Sequence, residues 1–224
     1  LAEVKGSGKY GAYVGGLVGY SDGSEIARSY AAGDVTVEGD VADGSSVGGL
    51  VGISVSSDIT DSHATGTVHV NVISNSGGSY IEVGGLVGYS DGSEITRSYA
   101  AGDVTVIGDV ADGSGIGGLI GYGRDDNIYY SFSAGDITSE KGDAYLYIYT
   151  GGLVGVKEGG TISNTYITGD VKGVHFVGGL AGYNIGGTVA DTYATGKVMG
   201  NVYVGGLVGL NYGGKITNTY ATGE

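Results

Sequence analysis

Gly15-Gly16-Leu17-Val18-Gly19 and, further along, Ser29-Tyr30-Ala31-Ala32-Gly33 are the two blocks on which the reading of this chain turns. The first block, or a close variant, starts again at Gly48, Gly84, Gly117, Gly151, Gly178 and Gly205. The second returns after each one. Its copies are Ser62-His63-Ala64-Thr65-Gly66, Ser98-Tyr99-Ala100-Ala101-Gly102, Ser131-Phe132-Ser133-Ala134-Gly135, Thr165-Tyr166-Ile167-Thr168-Gly169, Thr192-Tyr193-Ala194-Thr195-Gly196 and Thr219-Tyr220-Ala221-Thr222-Gly223. From the first Gly of each pentapeptide to the Gly that closes its second block is 18 residues in all seven copies. A spacing held that tightly demands a fixed geometry between the two blocks.

Length varies only between repeats. From one closing Gly to the next pentapeptide the distances are 15, 18, 15, 16, 9 and 9 residues. The shortest repeats are therefore 27 residues long, and earlier ones carry six to nine extra residues at one place. Gly39-Asp40 through Ser46, Ser74-Asn75-Ser76-Gly77-Gly78 and Glu140-Lys141-Gly142-Asp143 read as extra turns, which at a fixed phase belong on one side of the molecule. Residues 15–52 and 84–121 differ at only five of 38 positions, so a pair of repeats has been duplicated as a unit.

Composition narrows the fold. Of 224 residues, 50 are Gly and none is Pro or Cys. Gly weakens helix interiors, so a helical bundle or doubly wound α/β domain is excluded. Collagen needs Pro and a strict period of three. Disorder fits badly with 41% hydrophobic residues and 19 Tyr spread along the chain. A net charge of -14 repels nucleic acid and anionic membranes, and no apolar run is long enough to span a bilayer. Without Cys there is no disulfide framework and no thiolate metal site, and three His (His63, His69, His175) leave little for an imidazole one. The chain opens in mid-pattern at Leu1, and its two ends match in phase, so it reads as a segment of a longer array or a mature module.

Short runs rich in Val, Ile, Tyr and Thr, bounded by Gly, Asn, Asp and Ser, read as strands and turns. Three runs fit a 27-residue unit, as in Val177–Tyr183, Thr188–Ala194 and Lys197–Val204. One such unit buries little, whereas stacked copies bury a continuous core. The expected fold is one all-β domain over residues 1–224. It is a right-handed parallel β-solenoid of about seven coils with 27–36 residues each. At about 4.8 Å of rise per coil it spans roughly 34 Å. Ile26, Ile59, Ile95, Ile128, Ile162, Val189 and Ile216 form one inward row. Val35, Val68, Val104, Ile137, Val171 and Val198 form another, with the Ala31 row sharing its parity. The adjacent Leu17 and Val18 pose a problem, since strict alternation puts one of them outside. Either a bulge at Gly15-Gly16 resets the alternation, or an apolar row faces outward.

The repeated Gly-Gly-Leu-Val-Gly with its trailing Ser/Thr-Tyr-Ala-x-Gly-x-Val resembles the GLUG-motif repeat across all seven copies. Such repeats occur in large bacterial and archaeal surface proteins. Those include adhesin-like proteins and the non-catalytic regions of immunoglobulin A peptidases. The resemblance implies an extracellular, cell-surface or secreted location. It implies no peptidase activity, since no His-Glu-x-x-His sequence is present.

The most regular side-chain feature is the row Tyr30, His63, Tyr99, Phe132, Tyr166, Tyr193 and Tyr220. If the Ala31 row points inward, these rings point outward, as a row for ligand contact or self-association, or as a stack that only supports the coils. Acids recur at Asp34, Asp103, Asp136 and Asp170, and as Asp40/Asp43 and Asp109/Asp112 in the longer repeats. Carboxylates in loops can hold Ca²⁺, but neither the calcium nonapeptide nor an EF-hand loop occurs, and turn chemistry explains them as well. A uniform Thr face for ice binding is absent. Catalytic sites break repeat patterns, and the most divergent stretches are 53–61, 69–82 and 122–130, the last with Arg124, Asp125, Asp126 and Tyr129. No catalytic constellation stands out, and a non-enzyme is expected. The expectation is an adhesin or stalk module that presents loops and the aromatic row to a host or neighbouring-cell ligand such as a glycan. The alternatives are a module of an extracellular filament, sheath or S-layer assembling by end-to-end coil stacking, and a carbohydrate-binding or polysaccharide-processing β-helix.

Overall fold

The structure is a computed structural model that describes residues 4–8, 11–73, 78–140 and 147–223. The extra turns placed at Ser74–Gly77 and Lys141–Asp143 lie outside the described residues. Among the described residues the chain is all strand and turn, wound as a parallel β-solenoid. There are five sheets of seven strands, and every strand pairs in parallel with its equivalent one coil away. The third coil shows the plan. Ile81–Gly84 belongs to sheet 1, Val87–Asp91 to sheet 2, Glu94–Thr96 to sheet 3, Tyr99–Ala100 to sheet 4 and Val104–Gly108 to sheet 5.

Each coil therefore uses five short strands rather than three longer runs. Val177–Tyr183 is divided between Phe176–Gly178 and Ala181–Ile185, and Thr188–Ala194 between Thr188–Ala190 and Tyr193–Ala194. Lys197–Val204 likewise splits into Val198–Met199 and the start of Tyr203–Gly205. Each split is a corner.

The corner at Gly-Leu settles the Leu–Val problem. The N–H groups of Leu50 and Val51 both donate to the Leu86 carbonyl, at 2.9 Å each. The same sharing recurs from Leu86 and Val87 to Leu119, and from Leu119 and Ile120 to Leu153. Two N–H groups sharing one acceptor carry the ladder round the corner with no change of register, and the corner resets the alternation. Both side chains then turn inward: Leu50, Val51, Leu86, Val87, Leu119 and Ile120 are all 0% exposed. An outward row exists as well, two residues on. Tyr20, Tyr89, Tyr122 and Tyr183 face sheet 1 residues such as Tyr13 and Tyr149, with Tyr13–Tyr20 centroids 6.1 Å apart and Tyr149–Tyr183 5.1 Å.

The pentapeptide glycines serve close approach, and none of them has positive φ. A Cβ on Gly49 would lie 2.9 Å from the Ala64 Cβ, and one on Gly52 would lie 2.8 Å from the Val14 nitrogen. The first contact explains why the facing row is mostly Ala. The second lets the backbone of sheet 2 rest on that of sheet 1.

Two apolar columns run along the molecule. One holds the Leu–Val pairs, the Ile26 row and the Ala31 row. The other holds the Val14 and Val47 row together with Val35, Val37 and their equivalents. Both rows expected to face inward do so, and in the last coil Ile216 is 37% exposed. The extra residues of the longer repeats are not all free loop. Gly39–Val41 continue a sheet 5 strand, and Val41, Val72, Val110 and Ile148 are buried in the second column, which they widen.

Burying a Leu completely contributes about 1.5–3 kcal/mol, and truncation adds a cavity cost. Leu86→Ala is expected to destabilise by about 2–5 kcal/mol. Leu207→Ala, in the partly buried last coil, should cost visibly less. Denaturant midpoints of the two variants check the order.

Candidate functional site

The aromatic row is one continuous outward column on sheet 4. In-register pairing sets Tyr30 beside His63, His63 beside Tyr99 and Tyr99 beside Phe132. Phe132, Tyr166, Tyr193 and Tyr220 continue it. Ring centroids are 4.7 Å apart for His63–Tyr99 and Tyr99–Phe132, and 4.8 Å for Phe132–Tyr166. Interplanar angles along the column run from 1° to 9°. This spacing is that of the strands themselves. Stacking face to face consumes the ring faces, so the interior rings offer edges and phenol oxygens to solvent rather than platforms for a sugar ring.

The corner beside the ladder explains the Ser that opens the second block of the earlier repeats. Arg28, Asp61, Arg97, Tyr130, Asn164, Asp191 and Asn218 all sit in left-handed backbone, with φ of 49° to 53°. Asn and Asp tolerate that region best, and they hold four of the seven places. The next residue turns its hydroxyl inward. Ser62 Oγ donates to the Thr60 carbonyl at 2.9 Å and accepts from the Ser29 N–H at 3.1 Å. Ser98 Oγ and Ser131 Oγ repeat this one and two coils on. The hydroxyl column thus satisfies N–H groups that the sharp turn strips from the ladder.

The recurrent acids have a comparable task. Asp34, Asp103, Asp136 and Asp170 each accept, through Oδ1, the backbone N–H of the equivalent residue one coil on, at 2.8–2.9 Å. Asp43 Oδ1 accepts the Tyr80 N–H at 2.9 Å, and Asp112 accepts that of Tyr147. Among the described residues no group of three or more His, Cys, Asp or Glu is placed to hold a metal ion. Of the divergent stretch, Arg124 forms an exposed ion pair with Asp91, while Asp126 turns inward and is 4% exposed.

Asp126 belongs to a column that the sequence reasoning missed. Two interior positions lie six and nine residues past each pentapeptide's first Gly. Coils one to three place Ser at both: Ser21/Ser24, Ser54/Ser57 and Ser90/Ser93. Coil four has Gly123/Asp126, coil five Lys157/Gly160, and coils six and seven Asn184/Gly187 and Asn211/Gly214. Hydroxyl pairs join the early coils, as in Ser21–Ser57 at 3.1 Å and Ser54–Ser93 at 3.2 Å. The signal was legible as a fixed phase at which a charge is always paired with a Gly. Gly123 makes room for Asp126, since a Cβ there would stand 2.8 Å from its Oδ2.

Burial pushes the Asp126 carboxyl up to about 7, with its Ser93 N–H bond of 2.8 Å pulling the other way. Burial also pulls the Lys157 amine down to about 8, opposed by the charges of Asp126 and Asp125.

The GLUG motif matches residues 10–36, 43–68, 79–105, 176–199 and 200–224, which together make up more than half of the chain. The chain belongs to the GLUG-motif family. No curated protein and no solved structure matches it. The unmatched stretch 106–175 holds the fourth and fifth coils, where Asp126 and Lys157 replace the hydroxyls of the polar column.

Ser98→Ala leaves the buried Ser62 N–H without its acceptor and is expected to cost about 1–3 kcal/mol, read as a lowered thermal midpoint. Asp126 sets a pH dependence. The folded chain keeps its proton up to about 7, against the ordinary value of 3.8 when unfolded, so folding weakens as pH rises through that window. Asp126→Asn removes that loss. The stability difference between variant and native protein should therefore widen from pH 4 to pH 7, as measured by denaturant titration across that range.

Proposed function

We propose that this chain is a non-enzymatic stalk module of an extracellular surface protein, with an adhesive role. It is a stiff rod that carries variable segments along one flank. The observation that supports this most directly is the confinement of all length variation to the sheet 5 strand and its connection to sheet 1. The remaining four-fifths of the cross-section repeats with constant spacing. Rigidity follows from the five parallel ladders, because each strand has its partner fixed one coil away. The exposed part of the variable flank is acidic, with Glu38, Asp40, Asp43, Asp109 and Asp112. This flank is the surface offered to a host or neighbouring-cell ligand, with glycans among the candidates. The aromatic column adds a line of ring edges and phenol oxygens. A non-enzymatic reading agrees with the use of the recurrent carboxylates, which bond to backbone N–H groups one coil on.

The reading is tested by measuring binding of the purified protein to cells and to a glycan array. A second protein would have the connections of the longer repeats cut to the nine residues of the last two. Binding by the native protein and its loss in the shortened one is the expected result. No binding in either, with concentration-dependent fibres in solution, would replace the stalk with a filament module.

A further inference from the structure

Lys157 is the odd member of the interior polar column. Its strand, Val154–Glu158, pairs in register with Ala181–Ile185, and Lys157 stands opposite Asn184. Both side chains turn inward, Lys157 at 3% exposure and Asn184 at 0%. No ion pair reaches Lys157 among the described residues. Its Nζ donates only to the carbonyls of Gly159 and Gly160, the latter at 2.8 Å. A buried ammonium held by two neutral carbonyls is expensive, and burial shifts it toward the neutral amine.

Asn184 is oriented by its other neighbours. Its Nδ2 donates to Asn211 Oδ1 at 2.7 Å and to the Gly187 carbonyl at 3.2 Å. That leaves Oδ1 on the remaining side of the amide, where it accepts no hydrogen bond. A Cβ on Gly187 would overlap Lys157 Nζ and lie 2.9 Å from Asn184 Oδ1. The amine and the amide therefore border the same space, about the volume of a methyl group. One coil away on the other side, Asp126 is also buried, with its Oδ1 accepting the Ser93 N–H at 2.8 Å. Amine, carboxyl and carboxamide thus occupy successive coils of one buried corner.

We propose that Lys157 and Asn184 condense to an intramolecular amide that joins the fifth coil to the sixth. Lys157 Nζ attacks Asn184 Cγ, and a new C–N bond forms. The Cγ–Nδ2 bond breaks, the amine proton passes to Nδ2, and ammonia leaves. No atom changes oxidation level and no co-reactant is needed. The step requires a neutral amine and a protonated acid near neutral pH. Burial moves both groups that way, pulling Lys157 down to about 8 and Asp126 up to about 7, so that each reactive form is present as a minority just above neutral pH. Asp126 acts through Lys157 as a positioning residue: its carboxylate takes up the proton that the ammonium gives up, which leaves a neutral amine and a neutral acid. The link would staple two coils in a chain that has no Cys for disulfides, and reduction would not open it.

The test needs only the native protein. Its intact mass, under denaturing conditions, is expected to fall short of the sequence mass by one ammonia. Trypsin should then fail to cut at Lys157, and peptide 142–172 should remain joined to 173–197. Lys157→Arg and Asn184→Ala should restore the full mass. In Asp126→Asn, a time course of intact mass on freshly made protein should show slower loss of ammonia. A native protein at full mass, with separate peptides 142–157 and 173–197, overturns the proposal. A deficit of one water instead overturns the assignment to Asn184, because it places the link on a carboxylate. Linkage in Asp126→Asn at the native rate overturns the part given to Asp126.

Discussion

A strand in this molecule has neither a hairpin partner nor a helix to lean on. Its N–H and C=O groups are satisfied only by the same strand one coil away. That ladder has to survive five changes of direction per turn, and each corner meets the demand differently. At Gly-Leu two N–H groups share one carbonyl. At the left-handed corner of the earlier coils a Ser hydroxyl replaces the lost backbone acceptor. After the closing Gly an Asp carboxylate takes the N–H. Absence of Pro follows from the same demand, since a Pro would remove a donor from the ladder.

In-register stacking has a second consequence, which is that like falls on like. Side chains at one phase form columns along the rod, and a column is stable only if its members suit one another. Apolar columns make the core, rings make the outer ladder, and hydroxyls make the polar corners. Identical charges stack only at the exposed surface, as Asp103, Asp136 and Asp170 do, because inside the rod desolvation and mutual repulsion would add along the column. The polar column admits charge once in each sign, at Asp126 and Lys157, and each comes with a Gly that yields the space.

Much of this was legible in advance. The repeat, the parallel solenoid, the inward Ile and Val rows and the outward ring column all follow from phase and alternation. Two things were hidden. The Leu–Val pair defied alternation because its corner is made by shared backbone bonds, which leave no mark on side-chain parity. The left-handed residues went unseen because Arg28, Arg97 and Tyr130 are not residue types that announce such a turn. The ring row was visible as a row, but its use of ring faces was not, since that depends on a rotamer common to all seven coils.

By itself the sequence determined the coil count, the phase of every row and the place where the coils change length. These depend on covalent spacing alone, and a period of 27 to 36 residues with an invariant 18-residue span admits little else. Only the tertiary structure decided which neighbours meet. The extra residues of the longer repeats became core because Val41, Val72, Val110 and Ile148 are buried against the Val column. Lys157, Asn184 and Asp126, far apart in the chain, came to share one corner because parallel pairing brings residues a whole coil apart within a strand spacing of each other.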